Sequence, residues 1–349
     1  MDLADRVASL RVEIEHVGRE RLALQVSPEF TRVTTVVRLG GRGAEGVGED
    51  VSYDATLHAP ERAPEPPVAG FAGTLGELSN LLEGVDLYGG PIGMESQRAY
   101  RRWAWESAAL DLALRQANVG LGDVLERHAR PVAFVASTRI DARTLEPLAS
   151  WARLYPSLRF KLDPTGEWDD ALVARISALV GVDVVDLKGA YRGTVVDNPP
   201  SARLYRLAAE AFPDAWIEDP NLDDDADAAA ALEPHRARIT WDAPIHSVAD
   251  VDALPFAPRT LNVKPSRFGS LRALFEFYET CEARGIALYG GGQFELGPGR
   301  GHIQHLASLL HAESPNDVAP AAYNGAPAEG LPESPLEPTR IPHVLGTHA

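Results

Sequence analysis

The sequence predicts an α/β chain: a (β/α)8-type barrel preceded by an N-terminal α+β capping domain. Three observations carry this. From near residue 131 onward, short apolar runs alternate with helical segments. About eight such runs can be counted, the number that closes a barrel rather than leaving an open sheet. Before residue 125 the rhythm differs: strands with one apolar face, a glycine-rich turn and one long helix. Strand–helix alternation implies parallel strands joined by crossover helices. A length of 349 residues accommodates one large barrel or two domains and does not choose between them.

Taken in order, "ASLRVEIEHV" and "RVTTVVRLG" alternate as half-buried strands do, and "GRERLALQVSPEF" between them reads as a polar connection. "GGRGAEGVGEDVSYD" is turn-like; without a following Gly-Lys-Ser/Thr it is hairpin chemistry, not a phosphate loop. "HAPERAPEPPVAG" reads as a Pro-rich surface connection. In "SQRAYRRWAWESAALDLALRQANVG", Trp103, Leu110, Ala113, Leu114 and Ala117 share one side of a helix that stops at Asn118-Val119-Gly120. The barrel strands are expected in "PVAFVAS", "LRFKLD", "VDVVDLKG", "AWIEDP", "RITWDAP", "TLNVKPS" and "IALYGGG", with "NDVAPAAY" a weaker eighth. "DDALVARISALVG", "PPSARLYRLAAEAF" and "GSLRALFEFYETCEARG" are helices between them. Residues 1–125, with part of the tail 326–349 that contains "PLEPTRIPHVLG", are expected to cap the C-terminal face of a barrel formed by residues 131–325.

The totals exclude several classes. A formal charge of −17 argues against nucleic acid or an anionic membrane as partner. One cysteine, Cys281, rules out an internal disulfide and a cysteine zinc cluster, and reads as a buried small hydrophobe. No stretch approaches the roughly 20 apolar residues of a membrane span, and "MDLADRVASLRVEIEH" has no apolar signal region, so a cytoplasmic protein is expected. The acidic run "PNLDDDADAAAALE" reads as solvated surface opening a helix.

The chemistry lies at the strand ends, where barrels carry their functional groups. Asp186, Glu218 and Asp242 end three successive strands. Singly, a strand-end acid is most often a helix N-cap or loop residue. Three at one rim repel one another and resist burial. A hard divalent cation resolves that cost; Mg²⁺ takes oxygen ligands and leaves room for substrate oxygens, with Mn²⁺ as a substitute, and the sulfur-free set argues against zinc.

Two lysines bracket the acids, Lys161 in "RFKLD" and Lys264 in "NVKPS". Their ordinary reading is a snorkelling or ion-paired lysine. Placed on either side of a metal, they suit two bases facing opposite sides of one carbon. Arg159 shares a strand face with Lys161 and is expected to depress its pKa, because like charge disfavours the ammonium. The matching reaction removes a proton α to a carboxylate, with Mg²⁺ neutralising the enediolate that forms.

On these residues the chain resembles the enolase superfamily, and within it the muconate-lactonizing subgroup of o-succinylbenzoate synthases, N-acylamino acid racemases and dipeptide epimerases. "TTVVRLGGRGAEGVGE" and "WAWESAALDLALRQANVGLGDVL" look like its capping domain, and "LNVKPSRFGS" with "GGQFELGPGR" looks most like the synthase and racemase branch. The resemblance implies Asp186, Glu218 and Asp242 as metal ligands and Lys161 and Lys264 as catalytic lysines. It implies Ser266, Gln293, Phe294 and Glu295 beside a small carboxylate substrate, and "GRERLALQV" as a mobile capping loop. Oligomeric state stays open, a homo-oligomer included.

The sequence departs from that pattern. Arg-Phe-Lys replaces Lys-x-Lys, Lys188 stands where Asn is usual, Ala243 follows Asp242 in place of Glu, and Gly269-Ser270 replaces Gly-Gly. Lys188 is expected to pair with Asp219 or to contact substrate. No Asp-x-Asp accompanies "DVAPAAY", so dipeptides are not the expected substrate. Gly297, Gly299 and Gly301 precede a helix whose N-terminus could meet an anionic group, against a plain turn. His302 and His305 share a helix face without a metal role. The competing functions are a non-catalytic metal or carboxylate binder on the same scaffold, an acid-sugar dehydratase, which would lack its usual strand-seven His, and a Schiff-base aldolase, for which the three acids are redundant.

Overall fold

The computed structural model describes residues 2–140, 144–146, 148–191, 196–342 and 345. Helix α1 (Leu3–Ala8) starts where the Asp2 carboxylate accepts the Asp5 N–H. Strand β1 (Arg11–Glu13) pairs antiparallel with β5 (Ala72–Thr74). Between them β2 (His16–Ser27), β3 (Phe30–Gly41) and β4 (Ala44–Asp50) form an antiparallel sheet in that order. The segment expected as a polar connection is therefore most of β2. Its side chains are exposed or half-buried throughout, with Leu24 and Val26 both 46% exposed, so neither face carries a burial signal. Backbone pairing with β3 holds it.

The glycine-rich stretch divides in two. Arg42 and Gly43 turn the chain at φ 51° and 75°, and the rest continues as β4. Gly46 and Gly48 face α3 (Gln97–Ala117), and a Cβ on either would collide with helix backbone, at Ala108 and Leu112 or at Ala104. The glycines let strand and helix touch. Helix α2 (Leu75–Glu83) opens with a Thr74–Glu77 capping box. Helix α3 is buried along most of its length, although Ala117 is exposed, and it ends at Asn118 in the left-handed conformation. The short α4 (Leu121–Leu125) follows.

The barrel strands β6 (Val135–Arg139), β7 (Arg159–Asp163), β8 (Gly181–Asp186), β9 (Trp216–Glu218) and β10 (Ile239–Thr240) form one parallel sheet, and β11 (Thr260–Val263) pairs in parallel with β12 (Ala287–Gly290). The Asn262 N–H donates to Trp241 O at 3.0 Å and joins the two sheets. The eighth position is only Asn316 and Asp317. Asp317 N–H donates to Gly290 O at 2.7 Å, and Val135 N–H donates to Asn316 O at 2.9 Å. The Asn316 side chain adds bonds to Ala133 O at 2.9 Å and from Gly290 N–H at 2.6 Å, and the ring closes.

Outside the strands run α5 (Leu148–Leu154), α6 (Asp170–Leu179), α7 (Ala202–Ala211), α8 (Ala226–Leu232), α9 (Val248–Asp252), α10 (Leu271–Arg284) and α11 (Gly299–Leu310). Asp169, Ser201, Asp225, Ser247 and Ser270 cap five of them through side-chain oxygens. Part of the acidic run thus serves α8. Cys281 is buried in α10, and burial pushes its thiol up to about 12. Among the described residues no helix is long and apolar enough to cross a membrane.

The C-terminal tail touches both parts of the chain. Leu336 exchanges hydrogen bonds with Val132 at 2.7 and 2.9 Å, ahead of β6, and Leu345 O accepts the N–H of Leu121 in α4. The Val132 contact lies at the strand-entry end of the barrel. The reason is a backbone one: Val132 precedes β6 and its N–H and C=O would otherwise lack partners.

The β4–α3 contact yields a test. Gly48→Ala is expected to lose about 1–3 kcal/mol of stability, because the added methyl meets helix backbone that cannot yield. Gly43→Asn, where nothing lies within 4 Å and the left-handed turn suits Asn, is expected to lose far less. Urea unfolding midpoints compare the two.

Candidate active site

Strand register sets the first pairing of the site. Asp186 and Glu218 are aligned partners at the ends of β8 and β9, and Asp242 lies two residues beyond β10. All three are completely buried. Carboxylate oxygens of Asp186, Glu218 and Asp219 lie within 4.8 Å of one another. Asp219 therefore joins the group nearest to a metal cradle, in place of Asp242. Its φ of 49° turns the carboxylate to accept the N–H groups of Asp242 at 2.8 Å and Ala243 at 2.9 Å. The Asp242 carboxylate instead takes Lys264 Nζ at 2.8 Å, Arg267 at 2.8 Å and the Tyr191 hydroxyl at 2.9 Å.

Lys161 is buried, with Nζ 2.5 Å from Glu218 Oε1, 3.1 Å from Asp186 Oδ2 and 3.8 Å from Asp317 Oδ2. The Tyr289 hydroxyl donates to the other Glu218 oxygen. The two lysines thus stand at opposite ends of the acid row. Burial opposes the Lys161 ammonium, but Asp186, Glu218 and Asp317 outweigh it and hold its pKa well above the ordinary lysine range. A lysine held this firmly charged donates a proton; it accepts one only when the charge of its carboxylates is neutralised.

This corrects the expectation for Arg159. Its guanidinium is 48% exposed at the entry of β7 and bonds Asp183 at 2.9 and 2.5 Å. A register irregularity separates Phe160 from Lys161. Arg159 therefore does not lower Lys161. Lys188 differs from the expected Asp219 pairing: its Nζ lies 2.5 Å from Asp186 Oδ2 and 3.6 Å from Asp163 Oδ2.

Charge dominates the electrostatics. Asp163, Asp186, Glu218, Asp219, Asp242 and Asp317 cluster around Lys161, Lys188, Lys264 and Arg267. Burial, reinforced by its carboxylate neighbours and opposed by Lys161, pushes Glu218 well above the usual carboxylate range. Burial and the carboxylates of Asp242 and Asp186 raise Asp219 to about 7. Against burial, Arg267, Lys264 and Lys161 hold Asp242 low, and Lys161 and Lys188 do so for Asp186. An all-oxygen set with Asp186, Glu218, Asp219 and Asp242 fully buried at its centre fits a hard divalent cation.

The loop after β12 closes the site. Gln293 N–H donates to Glu295 Oε1 at 2.6 Å, and the Gln293 amide meets the hydroxyls of Tyr53 and Tyr100, both at 3.2 Å. Two buried cap residues grip this loop. Arg32 donates to the carbonyls of Gln293 at 2.8 Å and Phe294 at 3.1 Å, and Phe294 sits at φ 57°. Glu49 accepts the N–H groups of Leu296 at 2.7 Å, Gly297 at 3.0 Å and Gly299 at 2.9 Å. The helix N-terminus considered for an anionic ligand is occupied by this carboxylate. Ser266 is buried in the turn Pro265–Arg267. His302 and His305 are buried in α11, where burial pushes both down to about 4, and neither joins the acid group.

A cavity of about 420 Å³, lined by Tyr53, Ser137, Arg139, Phe294, Arg300 and Asp317, opens beside this row through Asp317. A larger one of about 550 Å³, near Arg127, Tyr278 and Leu288, contains none of these side chains. The sequence reading missed Arg267, Tyr191, Tyr289 and Asp317. Tyr289 stands one residue before the end of β12, near the rim where strand ends carry functional groups, which is the available signal. Arg32 and Glu49 contribute from more than 240 residues away, where no spacing reveals them.

Glu49 supplies a test. Glu49→Leu leaves three buried N–H groups unpaired and is expected to destabilise by several kcal/mol at about 1–3 kcal/mol each, whereas Glu49→Gln keeps an acceptor and loses less. Thermal unfolding reads the order; equal losses would contradict the assignment.

Comparison with known proteins follows the same lines. Residues 5–124 match the family model "Domain of unknown function (DUF8230) N-terminal domain", and residues 128–325 match its C-terminal domain. A protein named N-succinylamino acid racemase from Amycolatopsis sp is 32% identical over 47% of this chain and 44% of its own length, so this chain's match spans under half of that relative. Another of that name, from Thermus thermophilus, is 27% identical over 90% of this chain and 85% of the relative. An o-succinylbenzoate synthase of Geobacillus stearothermophilus is 28% identical over 63% and 59%. A solved structure described as an unknown member of the enolase superfamily, from Enterococcus faecalis V583, superposes with a TM-score of 0.69 at 20% identity, covering 96% of this chain and 94% of that one. The chain belongs to the DUF8230 family, matched in both of its domains, and it carries the fold of the enolase superfamily.

Proposed function

We propose that the chain is a Mg²⁺-dependent enzyme that removes the proton α to the carboxylate of a small N-acyl or succinyl substrate. The observation that carries this is the pair of buried lysines at opposite ends of one acid row, Lys161 on Glu218 and Lys264 on Asp242. Racemisation of an N-acylamino acid uses both lysines as bases; dehydration of the o-succinylbenzoate synthase kind uses one base and one cation. Residues 1–125 act as the cap, anchored through Arg32 and Glu49, and residues 131–325 carry the chemistry. The cavity beside Asp317 gives the substrate room, with Phe294 in its wall and Gln293 and Glu295 flanking it in the same loop.

Asp186 and Glu218 would hold the cation, with Asp242 as third ligand and Asp219 as the buttress that fixes the Asp242 backbone. Asp219 is assigned the supporting part because both its oxygens already accept backbone N–H groups. Mg²⁺ bound there neutralises the excess negative charge and stabilises charge developing on the substrate carboxylate; Mn²⁺ would serve as well. With its carboxylates so engaged, Lys161 is free to exchange a proton on one face of the α-carbon. Lys264, held by Asp242, exchanges on the other. Arg267 keeps Asp242 oriented whether or not Lys264 is charged.

Deuterium incorporation from D₂O tests the division of labour. For a racemase, Lys161→Ala blocks α-proton exchange from one enantiomer of an N-succinylamino acid and Lys264→Ala from the other, each slowed on the order of 10²–10⁴. For a synthase, Lys264→Arg retains some turnover and Lys161→Arg none. Exchange at the wild-type rate in both alanine variants sinks the two-lysine mechanism in favour of another base, and exchange no faster than in buffer for wild type and variants alike favours a non-catalytic binder. In parallel, Glu218→Gln is expected to abolish exchange and remove the thermal stabilisation by Mg²⁺, while Asp219→Asn keeps part of both.

A further inference from the structure

Lys188 is the most unusual side chain of the rim. It stands at φ 56°, a left-handed conformation that non-glycine residues seldom adopt, and it bonds the same carboxylate twice. Its backbone N–H donates to Asp186 Oδ1 at 3.1 Å, and its Nζ meets Asp186 Oδ2 at 2.5 Å. Lys161 adds a third donor to that carboxylate at 3.1 Å. On its other side the Lys188 ammonium faces Asp163, with Oδ2 at 3.6 Å. The second oxygen of Asp163, Oδ1, is buried and accepts no hydrogen bond among the described residues. The Tyr191 ring flanks the ammonium at 5.3 Å. One mobile cation therefore lies between a carboxylate with donors to spare and one that lacks them.

Asp186 is also a ligand in the metal reading given above, and this inference rests on that reading. A divalent cation and an ammonium cannot share one carboxylate oxygen without strong repulsion. The lysine arm is flexible, so a short displacement to Asp163 relieves the conflict and satisfies the orphaned Oδ1. We propose that Lys188 is a two-position counter-ion for the metal cradle: it neutralises Asp186 in the metal-free protein and moves onto Asp163 when a divalent cation binds. The device stabilises the metal-free chain, whose acids would otherwise repel, and it weakens metal binding by the free energy of the ion pair that must be given up.

Two variants separate the two positions. Lys188→Asn suits the left-handed backbone and removes the competing cation. It is expected to bind Mg²⁺ more tightly than wild type, by a factor on the order of 5–100, in calorimetric titration of metal-stripped protein. In EDTA it should unfold at a lower temperature than wild type, and Mg²⁺ should raise that temperature by more. Asp163→Asn removes the charged alternative partner and should bind Mg²⁺ more weakly than wild type, with Mn²⁺ paramagnetic resonance as a second readout. Wild-type binding with Lys188→Asn no tighter overturns the counter-ion role and leaves the metal reading standing. Binding by Lys188→Asn alone supports the role in its strongest form. No binding by either overturns the metal reading and this inference with it.

Discussion

Everything at the rim answers to an imbalance of charge. Parallel register at the ends of β8 and β9 forces Asp186 and Glu218 side by side, and the turn after β9 adds Asp219. The surrounding lysines and Arg267 offset most of that charge but not all of it. Protein interiors tolerate such a set only when something else compensates, through protons, solvent or a bound ion. Each neighbouring feature is part of that compensation: the raised carboxyls of Glu218 and Asp219, Lys161 and Lys188 held as ammonium groups, and the hydroxyls of Tyr289 and Tyr191 turned inward.

The second dependency runs between the domains. Arg32 and Glu49 leave the cap sheet and bind opposite polarities of the same loop, one its carbonyls and the other its N–H groups. A loop with a left-handed Phe294 has no secondary structure of its own to satisfy those groups. The cap therefore supplies what a strand or helix would have supplied. Phe294, in the wall of the cavity beside Asp317, is held through its carbonyl by Arg32 of that contact.

The fold was legible because its signals are periodic and local. Apolar runs, N-cap residues and the helix stop at Asn118 each lie within a few positions of the element they define. Strand β2 escaped because exposure on both faces removes the alternation that marks a strand. In the site, Lys161, Asp186 and Glu218 lie together where strand order puts them, since parallel register transmits position directly. Side-chain direction is not transmitted in that way. Arg159 turned to Asp183, Lys188 to Asp186 and Asp242 to Lys264 and Arg267 because the nearest opposite charge decides, and for Arg159 and Asp242 that neighbour lies on another element.

The closure of the ring has its own consequence. Seven strands are joined edge to edge by successive peptide groups, but the last junction is two residues wide and leans on the side chain of Asn316. That side chain stands in for part of a strand. The circumference is thus a chain with one link of a different material. That link lies next to Asp317, and so next to the cavity where a small molecule would enter. A shift of the Asn316 side chain would therefore reach the cavity wall through the very next residue.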